Sequence, residues 1–201
     1  DIEHNPSQPP LILRGGELGK YILFIGRIEK KKNVLGLIHA FRYLCTNYES
    51  SANMTNSLKL VLAGQIGYGG EDVLQAIKTF KLKDRVVHLG YVERAQYLAL
   101  LQGAALLVVP SFGEGFGLPV LEAMAAGVPV VCSDIPVLHE VGGNAVQYVD
   151  PSDPEDIAAG ITTVLQNEML QAEMVRRGKE RAQEFTWERC AQETWKVVIS
   201  L

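Results

Sequence analysis

The segment Leu106–Asp134 constrains the fold most, because it places two apolar runs around a glycine-rich loop and a short helical pattern. Leu106–Val109 is a continuous apolar run that ends at a proline, which is typical of a buried parallel strand. Pro119 stands where a first helical residue fits, since proline has no backbone N–H to leave unsatisfied. Gly127 then ends the helical spacing as a C′ glycine does, and the apolar run Val128–Cys132 predicts a second strand.

Apolar runs and helical spacing alternate along the rest of the chain in the same way. Strands are predicted over Tyr21–Ile25, Leu58–Ala63, Val86–Leu89, Leu106–Val109, Val128–Cys132 and Val146–Val149. Helices are predicted over 34–48, 73–80, 95–102 and 119–126, over a short segment after Pro136, and over 154–165, 167–184 and 187–199. This alternation predicts an α/β fold, a Rossmann-like three-layer domain with a mostly parallel sheet of about six strands and a helical C-terminus.

Length and composition fit one globular domain behind a short lead-in. The chain has 201 residues, of which 47% are hydrophobic and 21% charged, and this suffices for one α/β core. Residues 1–20 are rich in proline and glycine, so they are predicted to be a linker or an extended lead-in to the domain at 21–201. Because the chain begins with Asp1 and not with methionine, we expect a fragment or a processed product.

Charge, cysteine and histidine usage argue against several classes of protein. A net charge of −4 offers no basic footprint for nucleic acid. Three scattered cysteines favour a reducing compartment, and hence a cytoplasmic location. The four histidines are far apart in the sequence, so no metal site is predicted. No apolar stretch reaches the roughly 20 residues that a membrane-spanning helix needs.

The glycine-rich loop carries the clearest chemistry. Small residues let the backbone approach a ligand, and N–H groups at a helix N-terminus attract anions, phosphate above all. Glu114 lies in the loop and Glu122 one turn into the helix, so both are expected to face a cleft at the carboxyl end of a strand. Since carboxylates accept well from neighbouring hydroxyls, the loop suits a sugar joined to a nucleoside diphosphate. The alternative is an ordinary strand-to-helix turn with solvated glutamates.

The string EGFGLPVLE (114–122), followed by AMAAGVPVV (123–131), resembles the E-x7-E signature of retaining, nucleotide-sugar-dependent glycosyltransferases with the two-domain GT-B fold. It is similar to the group 1 family, which includes bacterial mannosyl-, glucosyl- and galactosyltransferases. The resemblance covers residues 20–200 and one half of a GT-B enzyme. It implies the C-terminal half, which binds a nucleoside diphosphate sugar, while the N-terminal acceptor domain is missing. It also implies a hexosyltransferase that needs no cofactor or metal and is inactive as this half alone.

The resemblance further implies roles for individual residues. Arg27 and Lys32, in the string GRIEKKKN, match an arginine and a lysine that bind the donor diphosphate and stabilise it as it departs. Glu114 would hold sugar hydroxyls, Glu122 the ribose hydroxyls, and the backbone at Val92 the edge of the base. The remaining donor-binding positions are Gly26, Gly115, Phe116, Gly117 and Leu118, of which the last two would present backbone amides at the start of the helix.

Several other stretches have two interpretations each. Tyr91 and Arg94 either contact the base by stacking or hydrogen bonding, or belong to an ordinary loop. Gly64–Gly70 is interpreted as a flexible loop, with a contact near the phosphates as the alternative. His139 is interpreted as an incidental member of a capped short helix and not as an acid–base group. The helix at Trp187–Ile199 either crosses back onto the missing domain, which would leave its apolar face exposed here, or packs on the core.

Two other functions stay open at this point. One is a GT-B relative with different chemistry, either a glycogen-synthase-like enzyme or a sugar-nucleotide epimerase. The other is a non-catalytic nucleotide-binding module. The sequence does not specify the base, the sugar, the acceptor or the oligomeric state. It also leaves open a location at the inner face of the membrane, which would be reached through the other domain.

Overall fold

The computed structural model of the chain describes residues 21–47 and 58–200. The predicted lead-in at 1–20 lies outside the described residues. The strands are β1 (Tyr21–Ile25), β2 (Lys59–Ala63), β3 (Val86–Gly90), β4 (Leu106–Val109), β5 (Val130–Ser133) and β6 (Gln147–Val149). The helices are α1 (Val34–Asn47), α2 (Gly70–Thr79), α3 (Arg94–Gly103), α4 (Leu118–Ala126), α5 (Pro136–Gly142), α6 (Pro154–Leu165), α7 (Glu168–Ala182) and α8 (Trp187–Ile199).

The strands form one six-stranded sheet in the order β3-β2-β1-β4-β5-β6. Each pairing between neighbouring strands is parallel. The central strand β1 shows the register, since Leu23 pairs with Val61 on one side and with Leu107 on the other. The predicted fold class is therefore confirmed, and all the described pairings are parallel.

Helices cover both faces of the sheet, and strand β1 shows how the core divides between them. Ile22 and Phe24 pack into a cluster with residues of α1, α2 and α6. Tyr21 and Leu23, which alternate with them along the strand, pack into a second cluster with residues of α3, α4 and α5. Successive side chains of a strand point to opposite faces, so a continuous apolar run serves both layers.

Three predicted boundaries in the segment around α4 were wrong by one or two residues, including the end of β5, which is Ser133 and not Cys132. The helix begins at Leu118, so Pro119 is its second residue. Strand β5 begins at Val130 and not at Val128, because the Val128 N–H closes the end of the helix by donating to the carbonyl of Ala123 at 2.9 Å. Gly127 makes this closure possible with its positive φ of 74°, which is the C′ role predicted for it.

The C-terminal helix α8 has the predicted bounds but lies apart from the core. Thr186 caps it by accepting from the Arg189 N–H at 3.1 Å, and none of the helix residues is buried. Its large apolar side chains are more than half exposed, namely Trp187, Trp195, Val197, Val198 and Ile199. The apolar face of this helix is thus exposed and does not pack on the core, while its crossing onto a second domain stays a prediction. Among the described helices, none is long and apolar enough to cross a membrane.

Candidate functional site

The crevice between β1 and β4, at their carboxyl ends, brings the predicted site residues to one edge of the sheet. The chain leaves β1 towards α1 on one face and leaves β4 towards α4 on the other, as the two core clusters show. In doubly wound sheets this point of reversal is where ligands bind, because the two outgoing connections separate there. The glycine loop, residues 111–117, lies between β4 and α4.

Close contacts shape the glycine loop. At Gly117, φ is +94°, and a Cβ atom there would lie 2.6 Å from Leu138 Cδ2, so a larger residue would be strained. The Phe112 N–H donates to the carbonyl of Lys31 at 2.9 Å, which joins the loop to the segment after β1. Around Gly115, in contrast, a Cβ atom would meet no heavy atom within 4 Å. The loop therefore has open space beside Gly115, the residue before Phe116.

Glu114 is held at both carboxylate oxygens. Lys32 Nζ lies 2.6 Å from Glu114 Oε2, and the Ser111 hydroxyl donates to Oε1 at 2.6 Å. The side chain of Glu114 is only 8% exposed and that of Lys32 is 24% exposed. Partners of this kind offset the loss of water around a carboxylate. The structure thus brings Lys32 and Glu114 together, and their roles toward a ligand stay predictions. Ser111 was not predicted, although its position three residues before Glu114 was an available signal.

Glu122, like Glu114, receives a donor on each carboxylate oxygen, and both donors come from the first turn of α3. Arg94 Nη1 donates to Glu122 Oε1 at 2.8 Å, and the Tyr97 hydroxyl donates to Oε2. The Arg94 guanidinium also lies over the Tyr97 ring, 5.1 Å from its centroid. Arg94 is thus part of the site, in a hydrogen bond to a protein carboxylate that the sequence did not predict. Tyr97 was not predicted, because a tyrosine within a helical pattern of apolar residues is typical of a core position.

The charges of this cluster follow from its contacts. Its hydrogen bond to Glu122 raises the pKa of Arg94 above the ordinary value for arginine, so the guanidinium stays charged. Burial, and then the bond to Glu122, raises the pKa of Tyr97 well above its ordinary value of 10. Tyr97 is therefore a neutral hydroxyl donor throughout the physiological range.

Arg27 lies at the same edge of the sheet but has a different partner. Its side chain is 68% exposed, and its Nε lies 3.9 Å from Glu29 Oε2. A Cβ atom at Gly67 would lie 3.5 Å from the same Nε, which places Arg27 beside the loop after β2. The guanidinium is thus accessible to a ligand in the crevice, whereas Lys32 is already engaged with Glu114.

The loop Gly64–Gly70 is tied to the segment after β1. The Ile28 N–H donates to the carbonyl of Gln65, and the Gly67 N–H donates to the carbonyl of Ile28, both at 2.9 Å. At Gly64, a Cβ atom would lie 1.8 Å from the carbonyl oxygen of Gly26, so only glycine allows this approach of two backbones. These bonds argue against the flexible-loop interpretation and fix the start of the segment that carries Arg27 and Lys32.

Three of the other predicted donor-binding residues keep part of their surface exposed, namely Val92, Phe116 and Leu118. Val92 is half-buried against the α3 side of the core, while Tyr91 beside it is 64% exposed. Leu118 is 52% exposed, and Phe116 packs edge-on against Phe185 with 5.9 Å between ring centroids. The roles of these residues toward a ligand stay predictions.

His139 is a member of the short helix α5, as predicted. Its Nε2 lies 2.6 Å from Asp134 Oδ1, and its ring stacks on Tyr148 at a centroid distance of 3.9 Å. Within the described residues, no group of three or more histidine, cysteine, aspartate or glutamate side chains is arranged to hold a metal ion.

The sequence profile of the family described as "Glycosyl transferases group 1" matches residues 16–181. The chain therefore belongs to the group 1 glycosyltransferases, and the resemblance seen in the EGFGLPVLE string is confirmed.

Several of the curated relatives are named as mannosyltransferases. O-antigen chain mannosyltransferase B of Escherichia coli is 37% identical over 195 residues, which are 96% of this chain and 50% of the relative. O-antigen chain mannosyltransferase RfbU of Salmonella typhimurium is 35% identical over 150 residues, or 75% of this chain and 40% of the relative. The chain thus spans half or less of the length of these relatives.

Solved structures share the fold of this chain and extend beyond the part that it matches. Sucrose-phosphate synthase from Thermosynechococcus elongatus superposes with a TM-score of 0.79 at 26% identity, over 94% of this chain and 47% of that one. Anabaena HepE, solved in complex with UDP and glucose, gives a TM-score of 0.76 at 24% identity, over 91% of this chain and 49% of that one. The matched domain is one half of a GT-B fold.

Proposed function

We propose that this chain is the donor-binding domain of a retaining glycosyltransferase. The enzyme would move a sugar from a nucleoside diphosphate sugar to an acceptor hydroxyl, with an N-terminal domain supplying the acceptor side. The observation that carries the proposal is the pair of held carboxylates, Glu114 and Glu122, at the crevice of a group 1 family member. The share of each relative that the chain spans supports the need for a second domain.

The diphosphate would be bound by two cations and by the start of α4. A diphosphate carries about two negative charges near neutral pH, and a guanidinium and an ammonium are the usual protein counter-charges. Arg27 is exposed enough to reach it. Lys32 has three N–H donors, so it can keep its bond to Glu114 and still donate to a phosphate oxygen. The amides of Gly117 and Leu118 at the helix start would add to this attraction.

The chemical step would depend on stabilising the departing diphosphate. As the bond between the sugar and the diphosphate breaks, negative charge grows on the leaving phosphate oxygen, and Arg27 and Lys32 would offset it. We propose that these cations supply the charge for which other transferases use a metal, so that no cofactor is needed. Glu114 would hold hydroxyls of the transferred sugar and Glu122 those of the ribose, with the base at the Val92 backbone.

Two further parts of the proposal concern the sugar and the location. Because two of the most similar curated relatives are named as mannosyltransferases, mannose is the first sugar to test. Cys132 and Cys190 are free thiols, which supports a reducing and hence cytoplasmic compartment as part of the proposal.

The exposed apolar face of α8 would dock on the missing domain. Its tryptophans, Trp187 and Trp195, lie uncovered at the end of the described chain. Docking would remove this apolar surface from water.

The first test is a calorimetric titration of this chain with UDP, GDP and ADP, each also as its sugar conjugate. We expect saturable binding of one nucleotide, and its base would then be known. Failure of all three to bind would contradict the donor-binding proposal. Retention is tested separately, by reading the anomeric configuration of the first product by NMR after the chain is joined to its N-terminal half. An inverted product would overturn the proposed stereochemistry.

A further inference from the structure

Arg94 and Tyr97 each donate a hydrogen bond to a different oxygen of the Glu122 carboxylate. Each oxygen receives one donor, the guanidinium on Oε1 and the phenol on Oε2. A carboxylate offers about four lone-pair sites, two on each oxygen. One acceptor site on each oxygen is therefore left. Such a pair of acceptors is complementary to a vicinal diol, which presents two O–H donors at neighbouring carbons.

We propose that Arg94 and Tyr97 are positioning residues, which hold the Glu122 carboxylate so that it accepts the 2′- and 3′-hydroxyls of a ribose. This inference rests on the proposed function, because it concerns the nucleoside end of the same site. Neither residue needs to touch the nucleotide. Their effect is to remove the rotational freedom of the carboxylate before the ligand arrives.

The two donors are themselves held in place. The start of α3 is fixed by a capping box, in which the Glu93 N–H donates to Gln96 Oε1 at 3.1 Å and the Glu93 side chain accepts from the backbone of Gln96. The Tyr97 N–H donates to the carbonyl of Glu93 at 2.8 Å. Arg94 lies over the Tyr97 ring, an arrangement that favours one orientation of both side chains. The donors thus come from a rigid first helical turn.

Arg94 also has an electrostatic role in this arrangement. An unneutralised carboxylate near a diphosphate would repel it, whereas the Arg94–Glu122 pair is close to neutral. The raised pKa of Tyr97 keeps its proton in place as a donor. Because Arg94 is 66% exposed and Glu122 30% exposed, ligand hydroxyls have access to the carboxylate.

The experiment compares ligands with and without the diol. UDP, GDP and ADP are titrated into the whole chain, and the nucleotide with the lowest Kd is then compared with its 2′-deoxy form and with inorganic pyrophosphate. The variants are Tyr97→Phe, Arg94→Gln and Arg94→Lys. The matched controls are Tyr148→Phe, which also loses a partly buried hydroxyl bond, and Arg176→Gln, which also loses exposed ion pairs. Circular dichroism checks that each variant folds.

The parent should bind the ribonucleotide about tenfold more tightly than the deoxy form. Tyr97→Phe and Arg94→Gln should reduce this ratio to about threefold or less without changing pyrophosphate binding, and Arg94→Lys should restore part of it. The controls should keep the parent ratio. An unchanged ratio in both variants would overturn the positioning role while leaving the proposed function intact. A parent that binds the two forms equally would also overturn it, and a parent that binds no nucleotide would overturn both proposals.

Discussion

Lys32 Nζ and Glu114 Oε2 lie 2.6 Å apart although 82 residues separate them in the chain. One follows β1 and the other follows β4, so their contact spans the point where the sheet reverses its winding. The carboxylate is nearly buried, and its two oxygens are occupied by the ammonium and by the Ser111 hydroxyl. This ion pair is therefore both part of the proposed donor site and a link between the two connections that form it.

Removing Lys32 should destabilise the domain. Lys32→Ala leaves Glu114 with a single hydroxyl partner in a water-poor site, at a cost of about 1–3 kcal/mol in the free energy of unfolding. The double variant that combines Lys32→Ala with Glu114→Gln should recover part of that loss, because the uncompensated charge is gone. Urea denaturation measures both values. Lys196→Ala removes an exposed 2.7 Å pair with Glu193 and should cost less than about 1 kcal/mol. If Lys32→Ala and Lys196→Ala lowered the free energy of unfolding equally, burial would not explain the effect at Lys32.

Glu122→Ala should weaken nucleoside diphosphate binding while leaving the fold intact. The loss should be about tenfold to a hundredfold in Kd, because hydrogen bonds to a charged group contribute roughly 1.5–3 kcal/mol. Glu180→Ala, which removes an exposed carboxylate paired with Arg176 on α7, is the control and should bind as the parent does. Calorimetric titration provides the comparison, and an Ala variant with the parent Kd would rule out the ribose role.

Arg27→Ala should weaken binding in a salt-dependent way. Its side chain is 68% exposed, so its attraction for a diphosphate should contribute on the order of 1 kcal/mol, or about fivefold in Kd, at low salt. In 1 M salt, where the Debye length falls to about 3 Å, the parent and the variant should bind nearly alike. Titrations at a series of salt concentrations measure how the Kd values of the parent and the variant converge. A constant difference across that series would mean that Arg27 acts through structure and not through charge.

Gly64→Ala should be far more damaging than Gly90→Ala. Both glycines have positive φ, but a Cβ atom at Gly64 would lie 1.8 Å from the Gly26 carbonyl oxygen, whereas at Gly90 it would meet nothing within 4 Å. We expect a loss of about 3 kcal/mol or more at Gly64 and about 1–2 kcal/mol at Gly90. Thermal and urea unfolding compare the two, and similar losses would show that backbone conformation outweighs the contact.

Tyr21 should make the domain sensitive to alkaline pH. Burial raises the pKa of Tyr21 to about 12, above the ordinary value of 10, so the unfolded chain loses this proton first. The stabilisation is therefore complete below pH 10 and is lost as pH rises towards 12. Tyr21→Phe removes the hydrogen bond to the Leu100 carbonyl and should cost about 1 kcal/mol at pH 8. The difference from the parent should shrink between pH 10 and 12. A difference that stays constant over that range would contradict the assignment.

Most of the fold could be predicted because apolar runs and turn residues mark the elements directly. Strands at Tyr21–Ile25 and Leu106–Val109 have the predicted bounds, since both are short apolar runs that end at glycine or proline. The start of β5 was misplaced because Val128 looks like a strand residue but closes α4 through its N–H. Such a boundary depends on a hydrogen bond and not on composition.

The site was less predictable, because its contacts depend on how distant segments pack. Motif positions marked Glu114, Glu122 and Lys32, and the structure brings Lys32 to Glu114. Ser111 and Tyr97 are common residue types whose hydroxyl partners become visible only when the elements are assembled.

Separate parts of the chain hold the two carboxylates, and this matters for protein engineering. Glu114 takes its donors from Lys32 and Ser111, whereas Glu122 takes its donors from α3. Among the described contacts, no donor serves both carboxylates. A library that randomises positions 94 and 97 is therefore expected to change how the Glu122 carboxylate is held, while the Lys32 and Ser111 contacts of Glu114 stay in place. By the same separation, substitutions in one short helix can alter the Glu122 end of the proposed site without a compensating change at Glu114.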